Sequence, residues 1–494
     1  MKLALALCLV LSSSVWHPAQ TPTDRDLRQL RNELEAKIKK RELASLSIAV
    51  IHNGKTLWKE SFGWADRERG IRATPQTIYS LASLSKSITA SGFWLLAQRG
   101  KLSDGDAVVD RLKSASLTFR AGDPRDLKIR HLLNMEGGIP HQFDYFYDDE
   151  RRSPPALTDQ IARHGFIAFP PGTIHNYSNF SLAIVDQIIA DVSGSAFPDF
   201  MRRNVFKPLR MNRTYTERPR LQIARGYDGK GNPLPTGYFL PRGGAGMYST
   251  LDDLIRYGRL HLGRAGILNR ETLERLQSPD SKAPNPYYSS GWGVLPTADG
   301  RTSLLSNGAI AGTATTLLLV PSENLEIVVL TNTTVGNDFT DATAFRIAGL
   351  LLDGYSDAMK ELFAKVEPIF GDTPFNPEGY EGRWIGSIKS GEKDIRVEFE
   401  VSPDGEIVVS LEKGRFEKLA RVHREQQAVV GDLAARLPIS DLGQTPHSLN
   451  FRLIKSGRSL IGVVTAVSED DRPRFYRPYF VELKRASALA WSGL

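Results

Sequence analysis

Apolar residues recur at helical spacing in the charge-rich segment 25–42, at Leu27, Leu30, Leu34 and Ile38. That spacing predicts an amphipathic surface helix. The period then shortens. Ser47-Ile48-Ala49-Val50-Ile51 and Thr56-Leu57-Trp58 flank Asn53-Gly54, and Asn-Gly between apolar runs signals a hairpin because both residues tolerate the positive φ of its turn. Residues 83–99 read as a helix, with Gly100 where a left-handed cap belongs. Segment 128–270 alternates helical patterns with Gly/Pro loops. Two β-rich runs, 314–320 and 326–332, are joined by the turn chemistry of Pro321-Ser322-Glu323-Asn324, and 340–366 returns to helical spacing.

The pattern changes again after Pro368, Gly371, Pro374, Pro377 and Gly379, which mark 367–379 as a linker. It divides an α/β (α+β) unit, 20–366, from a tail, 380–494. In the tail, Asp394-Ile395-Arg396-Val397-Glu398-Phe399-Glu400-Val401 alternates apolar and charged, and similar runs follow at 448–454, 459–467 and 474–484. About eight short strands in this space predict a small antiparallel barrel or sandwich.

Composition adds little to that outline except at the N-terminus. Met1-Lys2, the apolar run Leu3 to Val15 and the break at His17-Pro18-Ala19 predict a secretory signal peptide over 1–19. The single cysteine, Cys8, lies inside it. An exported chain without further cysteine relies on its core alone. No other stretch is long and apolar enough to be a transmembrane helix. Net charge is +7 over 494 residues, with no long Lys/Arg run, so nucleic-acid binding has no compositional support.

Chemistry concentrates at three places. Ser83-Leu84-Ser85-Lys86 opens the 83–99 helix. A lysine three residues on shares the serine's face and takes its proton once burial lowers the lysine pKa. The helix start offers free N–H groups to an oxyanion. Spacing alone does not single it out, because Ser390/Lys393 and Ser410/Lys413 share it. Tyr177-Ser178-Asn179 precedes an apolar helix, and of the 15 tyrosines only Tyr177 has an asparagine two places on. A phenol near a lysine serves as general base, and an asparagine amide holds a substrate carbonyl. The plainer reading makes Asn179 a helix cap. Ser306-Asn307-Gly308-Ala309 leads into the 314–320 strand, where glycine lets a substrate backbone approach. The nine histidines show no paired metal-ligand spacing, and no phosphate-binding glycine loop is present, so neither metal nor cofactor is expected.

Taken together, these motifs resemble the serine β-lactamase and penicillin-binding protein superfamily, in its class C β-lactamase-like branch. Leu81-Ala82-Ser83-Leu84-Ser85-Lys86 is similar to the nucleophile motif, and Tyr177-Ser178-Asn179 after Pro171-Gly172 to the second motif. Arg130-His131-Leu132-Leu133, Gly244-Ala245-Gly246-Met247-Tyr248-Ser249-Thr250 and Gly291-Trp292-Gly293 resemble recurring signatures, in order, across about 25–365. The resemblance implies an antiparallel sheet flanked by helices and an acyl-enzyme mechanism. Ser83 would be the nucleophile, Lys86 and Tyr177 would share the base role, and Asn179 would orient the substrate. The oxyanion hole would come from Ser83 and Ala309 N–H groups, with Ser306 and Gly308 beside it. Two positions depart from the pattern: Ser306 stands where Lys or His opens the third motif, and Met135 where histidine is common.

The tail resembles the lipocalin-like barrels appended to relatives such as D-aminopeptidases. It reads equally as a lid over the site or as a packing module. The expected activity is cofactor-free hydrolysis of an amide or ester, a D-amino-acid peptide or small ester, by an exported protein. β-Lactam hydrolysis is one alternative, and a non-catalytic peptidoglycan- or ligand-binding module another.

Overall fold

In a computed structural model, residues 24–150, 154–370, 372–469 and 474–486 are described. The expected signal peptide, 1–19, lies outside them. An eight-stranded sheet runs in the order Tyr288–Ser289, Trp292–Pro296, Thr302–Ile310, Thr313–Val320, Leu325–Thr331, Ser45–His52, Lys55–Asp66, Ile71–Arg72. Every neighbouring pair is antiparallel. The hairpin turn at Asn53-Gly54 has both residues at positive φ, 51° and 76°.

The sheet is buried on both sides. Ile48, Val50, Leu318, Val320, Ile327 and Val329 pack against Leu30, Leu34, Ala344, Ile347 and Met359, from helices Asp24–Lys39, Gly336–Leu351 and Tyr355–Phe370. The residues between them, Ala49, Ile51, Leu317, Leu319, Val328 and Leu330, pack against Ile88, Phe93, Phe180 and Leu254, from helices Ser85–Gln98, Asn179–Ser193 and Leu251–His261. Successive side chains point to opposite faces, so a strand covered on both reads as a continuous apolar run, as 314–320 does. Each such side chain contributes roughly 1.5–3 kcal/mol. Among the described residues no single helix is long and apolar enough to cross a membrane.

A buried carboxyl interrupts the apolar pattern. Glu326 lies under helix Leu251–His261, where Gly258 leaves no room for a Cβ beside the carboxyl. Neither carboxyl oxygen has a hydrogen-bond partner. Burial pushes its pKa well above the ordinary carboxylate value, with Arg259 opposing. As pH rises through the ordinary carboxylate range, the unfolded chain ionises and the folded one does not, so stability is lost with rising pH. Glu326→Gln cannot ionise. The melting-temperature difference between Glu326→Gln and wild type should therefore shift in favour of the variant from pH 4.5 to pH 8, the lower limit being the ordinary glutamate value. A pH-independent difference would contradict this account of Glu326.

The tail forms a second antiparallel sheet around its own core of Trp384, Phe399, Phe451, Leu453 and Val481. The order is Thr373–Pro374, Ala420–Glu425, Ala428–Leu433, His447–Ser456, Ser459–Ser468, Phe475–Arg485, Gly382–Lys389, Asp394–Val401, Ile407–Leu411, Glu417–Lys418. The small antiparallel barrel expected for the tail takes the form of a curled half-barrel sheet. Glu417–Lys418 at one end of this order and Ala420–Glu425 next to the other end are successive pieces of one segment. The register slips between Ala420 and His423, and Arg421 takes a φ of 51°. That bulge bends the chain and interrupts the ladder.

The half-barrel does not hang free. Phe475–Arg485 pairs with Phe143–Tyr147 of the larger unit, which pairs in turn with Gly237–Leu240. Arg477 reaches Asp144 at 2.9 Å. Phe166, Phe169 and Ile174 pack on Val430, Val463 and Phe480 across the junction.

Candidate active site

Ser83 sits in a single 3₁₀ turn, Ala82–Leu84, between the short strand Tyr79–Ser80 and helix Ser85–Gln98. Ala82 holds a φ of 47°, which is strained for a residue with a Cβ. Several bonds keep it there. Leu81 N–H donates to the Met247 carbonyl at 2.8 Å, Ser85 Oγ donates to the Ala82 carbonyl at 2.6 Å, and Thr315 Oγ1 donates to the Leu81 carbonyl at 2.9 Å. Strand Thr302–Ile310 lies directly on this turn. A Cβ at Gly308 would collide with Leu81 O and with the backbone N of Ser83 and Leu84, so only glycine fits. The contact places Ala309 one residue from the nucleophile's N–H. On the opposite edge of this strand, its partner Trp292–Pro296 reaches residues 302–305. Among the described residues no strand pairs with that edge beyond Leu305.

Lys86 is 1% exposed. Its Nζ donates to Tyr177 Oη at 2.6 Å, Asn179 Oδ1 at 2.5 Å and the Gly244 carbonyl at 2.8 Å. Three acceptors match the three donors of an ammonium and fix its position, while burial drives its pKa well below the ordinary lysine value. Tyr177 Oη in turn donates to Ser83 Oγ at 2.6 Å. Burial pushes the phenol up to about 12, with the Ser83 hydrogen bond opposing. The residue as a whole is 41% exposed, although its hydroxyl is held between serine and lysine. Helix Asn179–Ser193 is capped by Ser178, whose Oγ accepts from Phe180 and Ser181 N–H. Asn179 is therefore not the cap, and its amide is left for Lys86.

The structure thus brings Ser83, Lys86, Tyr177 and Asn179 together and lays Gly308 and Ala309 beside them. Ser306 behaves differently: it is 2% exposed and its hydroxyl donates to Ser87 Oγ at 2.8 Å. The two decoys separate as well. Ser390 Oγ donates to the Lys393 carbonyl at 2.6 Å and Ser410 Oγ to the Gly414 carbonyl at 2.9 Å, so each closes a local turn. Met135 supports the tyrosine loop, its sulfur accepting Ser178 N–H at 3.4 Å.

Sequence reasoning missed His141. Its Nδ1 accepts Asn179 N–H at 3.4 Å and its ring lies 5.5 Å from the Tyr177 ring. Burial, reinforced by Lys86, holds its pKa down at about 3, so the imidazole is neutral with Nε2 as the donor. Also missed was the Gly244 carbonyl as the third partner of Lys86. The glycines of that signature were the available signal, since Gly243 and Gly244 have no room for a Cβ against Leu182 and Asn179 of the next helix.

The family model described as Beta-lactamase matches residues 30–352. The chain belongs to the beta-lactamase family. Members of this family are serine hydrolases. Protein flp of Staphylococcus aureus (strain COL) is 25% identical over 323 residues, 63% of this chain and 64% of that protein. D-aminopeptidase of Gluconobacter oxydans (strain 621H) is 28% identical over 303 residues, 58% of this chain and 55% of that protein. This beta-lactamase-family chain therefore covers less than two thirds of these relatives' lengths. In fold it is similar to the octameric penicillin-binding protein homologue from Pyrococcus abyssi, with TM-score 0.58 and 20% identity over 92% of this chain and 100% of that one. It is also similar to a class C beta lactamase from Rhodobacter sphaeroides, with TM-score 0.54 and 23% identity over 65% and 99%.

Proposed function

We propose that this protein hydrolyses an amide or ester, a D-amino-acid peptide or small ester, through an acyl-enzyme on Ser83. The continuous hydrogen-bonded chain from Ser83 Oγ through Tyr177 Oη to Lys86 Nζ carries this reading. A phenol held at about 12 is a poor base alone. Lys86, pushed down by burial, is the proton sink once neutral: its two remaining N–H groups serve Asn179 and Gly244, and its lone pair faces Tyr177. Tyr177, its hydroxyl turned from Ser83 to Lys86, is the relay. As Ser83 Oγ attacks the carbonyl carbon, its proton passes to Tyr177 and the phenol's own proton to Lys86. The carbonyl oxygen takes negative charge facing the N–H groups of Ser83 and Ala309, a term worth about 3–4 kcal/mol per donor. The relay then runs backward to protonate the leaving atom, and water repeats the cycle on the acyl-serine. Asn179 fixes Lys86 and presents its amide to the substrate.

The composition of Met1 to Ala19 supports export as part of this proposal. One panel tests the activity: p-nitrophenyl esters, D-aminoacyl amides and nitrocefin side by side, with fluorophosphonate labelling of Ser83. Turnover of an ester or a D-aminoacyl amide is expected. Fast nitrocefin turnover with neither of the others would reassign the protein as a β-lactamase. Absence of any labelling or turnover would leave a binding module.

A further inference from the structure

The short strand Thr373–Pro374 fastens the linker to the half-barrel by pairing with Ala420–Glu425. Thr373 lies opposite Arg424 and Pro374 opposite His423. One step further along this antiparallel register, Asp372 comes opposite Glu425. Side chains alternate faces along a strand, so His423 and Glu425 share a face, and Asp372 joins them on it. Two carboxylates directly opposite each other destabilise a sheet unless a positive charge lies between them.

Among the described residues this is the one group of three histidine, cysteine or acidic side chains whose ligand atoms all lie within 4.8 Å of one another. His423 Nε2 is 3.4 Å from Asp372 Oδ1 and 3.2 Å from Glu425 Oε1. Ligands held at about 2.0–2.2 Å by a tetrahedral zinc ion are themselves roughly 3.3–3.6 Å apart, so the spacing is close to that of a coordination sphere. The tautomer agrees with it. At the bulge where Arg421 takes a φ of 51°, the Arg421 carbonyl accepts from His423 Nδ1 at 2.7 Å. Nδ1 therefore carries the proton, and Nε2 of the neutral imidazole turns its lone pair toward the two carboxylates. A backbone carbonyl on the far nitrogen is how metal-binding histidines are oriented. Glu425 is oriented too: its Oε2 accepts from Arg452 Nη1, which leaves Oε1 facing His423. Two carboxylates against one guanidinium leave a net negative charge, which favours a cation.

We propose that Asp372 Oδ1, His423 Nε2 and Glu425 Oε1 bind a zinc ion, with water as the fourth ligand. An imidazole among the donors favours such an ion over calcium or magnesium, which take oxygen ligands. Asp372 is exposed and its two partners are half-buried, so the ion enters from solvent. Bound there, it ties the end of the linker to the edge of the half-barrel and takes no part in the Ser83 reaction. Histidine spacing along the chain does not reveal this group, because Asp372 comes from the linker and meets His423 only through strand pairing.

The full chain, stripped with a chelator and titrated with zinc chloride, tests it. Wild type should bind one zinc ion more than His423→Ala, and Asp372→Asn should bind that ion at least about 10-fold more weakly. With zinc at about a hundred times its dissociation constant, the wild-type melting temperature should rise by roughly 3 °C if the chain unfolds as one unit. That of His423→Ala should stay where it was. Cobalt(II) in place of zinc should give visible d–d absorption in wild type, absent from His423→Ala. The wild-type titration, melting shift and cobalt spectrum need no variant to fold. A wild-type chain that binds no zinc, a melting temperature that zinc does not move, or equal zinc binding by His423→Ala and wild type would overturn the assignment. So would stabilisation by calcium chloride with zinc inert.

Discussion

Ser83→Ala should abolish covalent labelling by a fluorophosphonate or fluorescent penicillin and lower turnover by on the order of 10⁴-fold or more. The size of the effect follows from the arrangement around the hydroxyl. Ser83 Oγ is joined to Lys86 Nζ through the Tyr177 hydroxyl. Removing it deletes the group that bonds to the substrate while leaving the turn intact, because Ala82–Leu84 is held by Leu81, Ser85 and Thr315. The melting temperature should therefore stay close to that of wild type. Ser390→Ala and Ser410→Ala should label like wild type, since both hydroxyls only close turns in the half-barrel. Equal labelling of wild type and Ser83→Ala would refute the nucleophile assignment.

Tyr177→Phe should lower kcat by roughly 10²- to 10⁴-fold, the span of a single proton-transfer group. The ring would keep its place against His141, 5.5 Å away, so folding should survive. The missing oxygen breaks the relay in both directions. Ser83 loses the acceptor for its proton, and the leaving atom loses its donor. Lys86 keeps Asn179 and Gly244 as partners, which distinguishes this variant from one that unseats the lysine. The loss should be smallest for p-nitrophenyl esters, whose leaving group departs without a proton, and largest for amides. An equal loss for both would remove Tyr177 from leaving-group protonation.

Much of this site was legible because it is built from contiguous motifs. Ser83 and Lys86 share one helical start, and Tyr177 and Asn179 one loop-to-helix junction. The sheet was legible too, where a β-rich run such as 314–320 met turn residues. What escaped the sequence came from distant segments meeting. His141 became part of the site only because its backbone path crosses the Asn179 helix. The tail's curled antiparallel sheet was legible in its period-two spacing, whereas the bulge after Ala420 is a local feature that such spacing does not encode. Ser306 shows the limit from the other side: its motif position was readable, but its hydroxyl turns to Ser87.

The pairing of Ser45–His52 with Leu325–Thr331 also constrains how the molecule is made. The middle of the main sheet joins segments separated by nearly the whole length of the larger unit, and such distant contacts slow folding. Until the later strand has left the ribosome, Ile48 and Val50 have no second neighbour. Strand Ser45–His52 therefore waits for a partner made some 280 residues later, which prolongs its exposure during synthesis.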